Sequence, residues 1–267
     1  MSFVAVPSTE PARGDDGGHR KRTRNRARHR KGPKRGSFWR ELPILVITAL
    51  VLTVLIQTFL ARVYLIPSAS MEQTLHGCTG CTNDRVLVDK VSYNFSDPEP
   101  GDVVVFRGPE SWVDSAEFSS TEPDNVLLRG LQEAASLIGL APPDERDFVK
   151  RVIAVGGQTV ECCDERNRVV VDGEPLVEPY IYLADGRPQA DFAPVTVPEG
   201  NLWMMGDNRN NSADSRSHVA DLRNGTIPIE NVIGEARLIV LPPSRWGGIE
   251  DPNPQRLQPV ALGRGHR

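Results

Sequence analysis

The chain has 267 residues, 31 Lys/Arg, 35 Asp/Glu and a formal net charge of −4, room for one large domain or two small ones. The charge is unevenly spread: residues 1–41 carry 12 Lys/Arg against 4 Asp/Glu, a net of +8, and the remainder carries 19 against 31, a net of −12. A basic tail on an acidic body speaks against a nucleic-acid-binding domain, and 22 prolines and 23 glycines with few aromatics fit a β-rich, turn-rich body.

Residues 1–41 hold no set of apolar residues that could form a core, so they read as a disordered basic tail. From Pro43 to Ala61 there are 19 residues without a charge, roughly 28 Å of helix and close to the hydrocarbon thickness of a bilayer. We expect a transmembrane helix over 42–62, with Trp39 and Tyr64 near its two interfaces. A cleaved secretory signal is the competing reading, but the apolar run is too long and the basic region too extended for it. The basic tail should stay in the cytoplasm, which puts a body over 63–245 on the outer face of the cell membrane.

The body alternates as a sheet does. Strands are expected at Arg85–Tyr93, Asp102–Phe106, Phe148–Val155, Gly157–Glu161, Arg168–Val171, Leu202–Met205 and Val232–Leu241, with tight-turn signals at Pro100-Gly101 and Asp172-Gly173. Residues 108–147 read as an insert with a short amphipathic helix near 125–140. Residues 174–200 read as an irregular excursion, and 246–267 as a loose C-terminal tail.

Three pieces stand out chemically. Ser68 and Ser70, behind the stiffening Pro67, lie just after the apolar run. Lys150 sits inside an apolar strand, where desolvation disfavours the ammonium and lowers its pKa. A neutral amine there could take a proton from a serine hydroxyl. The Gly206–Arg216 loop has too few apolar residues to serve packing. Taken singly, each reads more simply as a polar loop, a surface lysine or a solvated turn.

Together they resemble bacterial type I signal peptidases, membrane-anchored serine proteases. Pro67-Ser68-Ala69-Ser70-Met71-Glu72-Gln73-Thr74-Leu75 is similar to that family's nucleophile box, with Gln73 where proline is usual. Gly101-Asp102-Val103-Val104-Val105-Phe106, Phe148-Val149-Lys150-Arg151 with Gly156-Gly157, and Gly206 through Arg216 follow in the family's order, over about residues 43–242. The resemblance implies a mainly β, two-lobed antiparallel body after one transmembrane helix. It implies Ser70 as nucleophile, Lys150 as general base, and the Ser68 hydroxyl with the Ser70 N–H as oxyanion hole. Ser212 would orient the amine, Asp207 would pair with Arg151, and Asp214 with Arg216. Ile66, Leu75, Phe148 and Val149 would line the substrate cleft, where an extended peptide with small side chains adds as a strand. The partners implied are signal peptides of exported preproteins, membrane lipid and a nearby secretion translocon, with no nucleic acid, no cofactor and no metal.

Cys78, Cys81, Cys162 and Cys163 form two pairs in sequence. They admit a redox pair, a zinc half-site or structural disulfides. No helix follows Cys78-Thr79-Gly80-Cys81 to activate a thiol, and no histidine pair completes a metal site. Structural disulfides are favoured, with bridges between the two pairs, because a bond between adjacent cysteines is constrained. The alternatives to a protease are a membrane-tethered thiol–disulfide protein using Cys78/Cys81 and an inert anchored interaction module.

Overall fold

A computed structural model describes residues 38–78, 80–113 and 146–257. The helix expected near 125–140 lies outside the described residues. The chain divides into two compact units, Met1–Ile44 and Leu45–Arg267. Of the first, only the opening turns of the first helix are described.

That helix, α1, runs from Phe38 to Phe59. Its segment Glu41–Phe59 is long and apolar enough to cross a membrane, and none of that surface is buried. An apolar helix exposed all round has no amphipathic stripe for a protein core and suits a lipid environment. It stops three residues short of the expected end: Leu60 turns, and Ala61 and Arg62 enter strand β1, Ala61–Leu65.

The other strands are β2 (Arg85–Asp89), β3 (Val103–Arg107), β4 (Asp147–Val155), β5 (Thr159–Cys162), β6 (Val169–Val171), β7 (Glu174–Pro175), β8 (Phe192–Thr196), β9 (Asn201–Met205), β10 (Ile227–Pro228), β11 (Val232–Leu241) and β12 (Gly247–Gly248). The larger antiparallel sheet has the order β1-β2-β11-β3-β4-β9-β10, with β12 beside β11; the smaller has the order β7-β6-β5-β8. The mainly β class and the two-part body agree with the sequence reading.

Alternation explains how one sheet serves two cores. Val103 and Val105 of β3 join a cluster with Tyr64, Ile66, Met71, Leu75 and Val86. Val104 and Phe106 face the other way, onto Trp112, Phe148, Val152 and Met204. These four side chains of β3 are completely buried, each contributing about 1.5–3 kcal/mol of hydrophobic stabilisation. β4 and β9 repeat the division, with Ile153, Trp203 and Met205 turned into a third cluster shared with the smaller sheet.

Four expectations need correction. The strand expected to reach Tyr93 ends at Asp89, whose carboxylate accepts the Val91 N–H at 2.7 Å and the Ser92 hydroxyl at 2.6 Å. Such local bonds compete with a sheet ladder and turn the chain. Residues 174–200 contain β7 and β8; β8 leaves most of its side chains in water, so it carries little apolar signal. The C-terminal region is not loose through its described part, since β12 pairs with Leu238 and Ile239 and Ile249 is buried. The disulfides join Cys78 to Cys81 and Cys162 to Cys163, within each pair and not between pairs. Cys162 ends β5 in the smaller sheet, while Cys78 and Cys81 lie in the loop leading to β2 of the larger one, so cross-pairing would have to link two sheets.

Candidate active site

Where β1 ends, the Ile66 N–H still donates to the Asp84 carbonyl at 2.9 Å. Pro67 then interrupts the pairing, because it has no N–H to continue it. Ser68 is extended (φ −128°, ψ 160°) and leads into a 3₁₀ turn over Ala69–Met71. Met71 and Leu75 are buried in the first cluster and hold that turn down. Ser70 is thereby fixed at 9% exposure, with the Ser68 hydroxyl donating to its Oγ at 3.3 Å.

Lys150 comes from the middle of β4, opposite Val104, on the strand face it shares with Phe148 and Val152. Its Nζ lies 2.8 Å from Ser70 Oγ across 80 residues of sequence, and it donates to the Val149 carbonyl at 3.1 Å. Burial pushes the amine down from its ordinary value to about 8; Asp214 and then Asp207 oppose the shift, and Arg216 supports it. At pH 7 about a tenth of such amines are neutral, against about one in 2,500 for a free lysine. A neutral amine has two N–H donors and one lone pair. With one N–H spent on Val149, the lone pair is available to the Ser70 hydroxyl.

Both carboxylates near the amine are tied to arginine. Arg151 grips Asp207 through two bonds of 2.9 and 2.7 Å, with both side chains fully buried. Arg216 grips Asp214 at 2.8 and 2.7 Å, and the Gly206 N–H donates to the same carboxylate at 2.9 Å. Burial raises the Asp214 pKa, but the Arg216 bond and charge, the Gly206 N–H and Lys150 outweigh it and hold the group ionised. Fork-on-fork pairing of this kind spreads and offsets the negative charge that an ammonium would otherwise find.

Ser212 differs from expectation. It makes no bond to the amine, and its hydroxyl oxygen is buried with no hydrogen-bond partner among the described residues. Gly206 lies close against it: a Cβ built there would lie 2.2 Å from Ser212 Oγ and 2.5 Å from the Ser70 carbonyl oxygen.

Three residues that the sequence reading did not single out bind the site together. Asn208 donates its backbone N–H to the Ser70 carbonyl at 3.1 Å and its side-chain amide to the Ala69 carbonyl at 3.0 Å. Thr74 donates its hydroxyl to Asp207. The Tyr180 ring lies 3.9 Å from the Arg151 guanidinium, a cation–π contact. Asn208 and Thr74 were inside boxes already marked; Tyr180 lies in the Pro-rich stretch read as irregular and carried no sequence signal.

Of the expected cleft residues, Ile66 and Leu75 are buried in the first cluster and Phe148 stacks on Phe106 in another. Only Val149 is partly exposed, so the other three offer their backbone or the floor of a pocket. The backbone is well placed. β9 pairs with β4 from Arg151 onward, so among the described residues no strand covers Asp147–Lys150 on that side. That half of β4 is an edge running past Ser70. Cys162, at the end of β5, and Cys163 after it pack into the cluster of the smaller sheet, which contains neither Ser70 nor Lys150.

The signal peptidase family, peptidase S26, is matched over residues 39–241. The signal peptidase I of Mycobacterium tuberculosis is 52% identical over 237 residues, covering 84% of this chain and 80% of its own. A probable signal peptidase I of Mycobacterium leprae is 49% identical over 245 residues, covering 84% and 83%. A probable signal peptidase I of Synechocystis is 40% identical over 216 residues, covering 80% and 89%.

Proposed function

The chain belongs to the signal peptidase family, peptidase S26, and from that premise we propose that it is a membrane-anchored endopeptidase that removes signal peptides from exported preproteins by a serine–lysine mechanism. The observation that carries the mechanism is the buried amine of Lys150, 2.8 Å from Ser70 Oγ, with a pKa of about 8.

The neutral amine takes the Ser70 proton as Oγ attacks the carbonyl of the scissile bond. Negative charge on that carbonyl oxygen is received by the Ser70 N–H and the Ser68 hydroxyl; a single donor of this kind commonly contributes about 10²–10³ in rate. The ammonium then gives its proton to the leaving amine, which departs as the new N-terminus of the mature protein. Lys150, neutral again, takes a proton from a water that attacks the Ser70 ester; as the C–Oγ bond breaks, the ammonium returns that proton to Ser70 Oγ and the signal peptide leaves with a free carboxyl group. The substrate lies extended along the open edge of β4, where small side chains of the Ala-x-Ala kind fit against buried Ile66, Leu75 and Phe148. Asp207–Arg151 and Asp214–Arg216 keep the carboxylates behind the lysine from holding its proton.

The test is cleavage of a signal-peptide substrate by full-length protein in detergent. Ser70→Ala should abolish turnover and Cys78→Ser should leave most of it. The reverse pattern would favour the thiol–disulfide reading and sink this one.

Helix α1 serves as the anchor, with the N-terminus cytoplasmic, the body outside near the secretion translocon, and lipid as its immediate partner. Protease added to spheroplasts should digest the body and spare residues 1–41. Digestion of the tail alone would reverse the orientation.

A further inference from the structure

We propose that the segment Pro243–Arg256, beyond the residues matched to the family, is a positioning strap that fixes the Ser70 loop and the Lys150 strand against each other. The inference rests on the reading of Ser70 and Lys150 as the reacting pair.

One end of the strap holds the serine loop. Arg245 Nε donates to the Asp84 carboxylate at 2.8 and 3.1 Å, and its Nη2 donates to the Thr74 carbonyl at 3.3 Å. Asp84 is completely buried. Its carboxylate also accepts the His76 N–H at 2.7 Å, its own N–H donates to the His76 carbonyl at 2.8 Å, and its carbonyl accepts the Ile66 N–H at 2.9 Å. Asp84 with Arg245 thus closes both ends of the stretch Ile66–His76, which carries Ser68 and Ser70. Midway, Ile249 enters the same cluster as Ile66, Met71 and Leu75.

The other end holds the lysine strand. The Glu250 carbonyl accepts Arg151 Nη1 at 3.1 Å, and the same nitrogen donates to the Gly101 carbonyl at 2.7 Å. The strap backbone runs so close to Gly101 that a Cβ there would meet the Pro252 and Asp251 carbonyls at 2.8 and 2.9 Å. Gln255 Nε2 donates to the Ile153 carbonyl at 3.0 Å, and the Val177 N–H donates to the Pro254 carbonyl at 3.4 Å. Arg151 is next to Lys150 on β4 and Ile153 is three residues beyond it.

A strap with these attachments sets the gap between Oγ and Nζ, and a misplacement of about 1 Å in a reacting pair costs up to about 10²-fold in rate. It also shields Arg151. Without the Glu250 carbonyl and its flanking chain, water reaches the guanidinium and its compensation of Asp207 weakens. The charged groups facing the amine are Asp214, Asp207 and Arg216. A less neutralised Asp207 and a wetter site both favour the ammonium, so its pKa rises.

The experiment compares full-length protein in detergent with Arg245→Gln, Arg245→Lys, a truncation after Gly248 and a control truncation after Leu257 that keeps every contact named above. Single-turnover rate and KM on an Ala-x-Ala peptide are measured across pH, with thermal melting on each sample. Arg245→Gln should lower the rate about 10- to 100-fold at little change in KM, Arg245→Lys should recover part of it, and truncation after Gly248 should move the rate profile to higher pH. Variants that melt earlier yet keep wild-type rate and pH profile per folded molecule would reduce the strap to a purely stabilising element and overturn the proposal. Should the Gly248 truncation fail to fold, the Arg245 pair decides alone. A Ser70→Ala protein run alongside separates the two ideas: residual cleavage there defeats the serine–lysine reading, whereas an inactive Ser70→Ala with unaffected strap variants defeats only the strap.

Discussion

Lys150→Arg should be as inactive as Lys150→Ala, each losing at least about 10⁴-fold in single-turnover rate, the scale seen when one member of a nucleophile–base unit is removed. Guanidinium keeps the positive charge but cannot be deprotonated in the working range, so the pair of variants separates a base from a fixed charge. The sign of the pH dependence follows from the amine's folded-state pKa of about 8. Below that value the lysine holds its proton and cannot accept another from Ser70; above it the neutral form dominates. Wild-type rate should therefore climb through about pH 8 and level off. Neighbouring charges provide an internal check. Arg216→Gln leaves Asp214 uncompensated and removes a charge that lowers the amine's pKa, so the profile should move to higher pH. Asp214→Asn removes the leading charge that raises it, so the profile should move to lower pH. A Lys150→Arg enzyme with near-wild-type rates, or profiles shifting in the opposite directions, would end the general-base assignment.

The parts of this site that could be read from sequence are those whose chemistry conflicts with their surroundings. Lys150 stands out because it interrupts an apolar strand, and the Gly206–Arg216 loop because nothing in it serves packing. Val103–Phe106 was legible as a strand because both of its faces are covered, which demands an unbroken apolar run; Val232–Leu241, interrupted by Glu235 and Arg237 and partly exposed, was legible from its Val, Ile and Leu content. What stayed hidden depends on contacts between distant segments. β8 lies against β5 but stays wet on most of its surface. Tyr180 gains meaning only from the guanidinium beneath it, and Arg245 only from Asp84, 161 residues earlier. The disulfide pairing failed for the same reason: spacing raises the cost of an adjacent bridge, but one pair lies in the loop before β2 and the other at the end of β5 in the smaller sheet. Ser212 lies packed against Gly206 and makes no bond to the amine, a contact that its place in the loop could not show.

Gly206 is where a one-atom change should do most damage outside the reacting pair. Its role is close approach and not an unusual backbone angle, since its φ is not among the positive ones. A methyl group at this position would sit 2.2 Å from Ser212 Oγ, 2.6 Å from Ser212 Cβ and 2.5 Å from the Ser70 carbonyl oxygen. The Ser212 side chain could be cut away; the Ser70 carbonyl is backbone and already accepts the Asn208 N–H. Relief therefore requires the nucleophile loop to move off the Gly206–Arg216 loop, lengthening the 2.8 Å contact between Oγ and Nζ. Gly206→Ala should lower single-turnover rate by about 10²-fold or more and destabilise the fold by about 1–3 kcal/mol, the usual cost of overpacking. The diagnostic is the double variant. If the clash with Ser212 were the whole problem, Gly206→Ala with Ser212→Gly should restore the single-turnover rate. If the Ser70 carbonyl is the obstacle, as the geometry requires, the double variant should regain melting temperature but little of the rate. Full recovery of rate in the double variant would show that the seam between the two loops is looser than these distances allow.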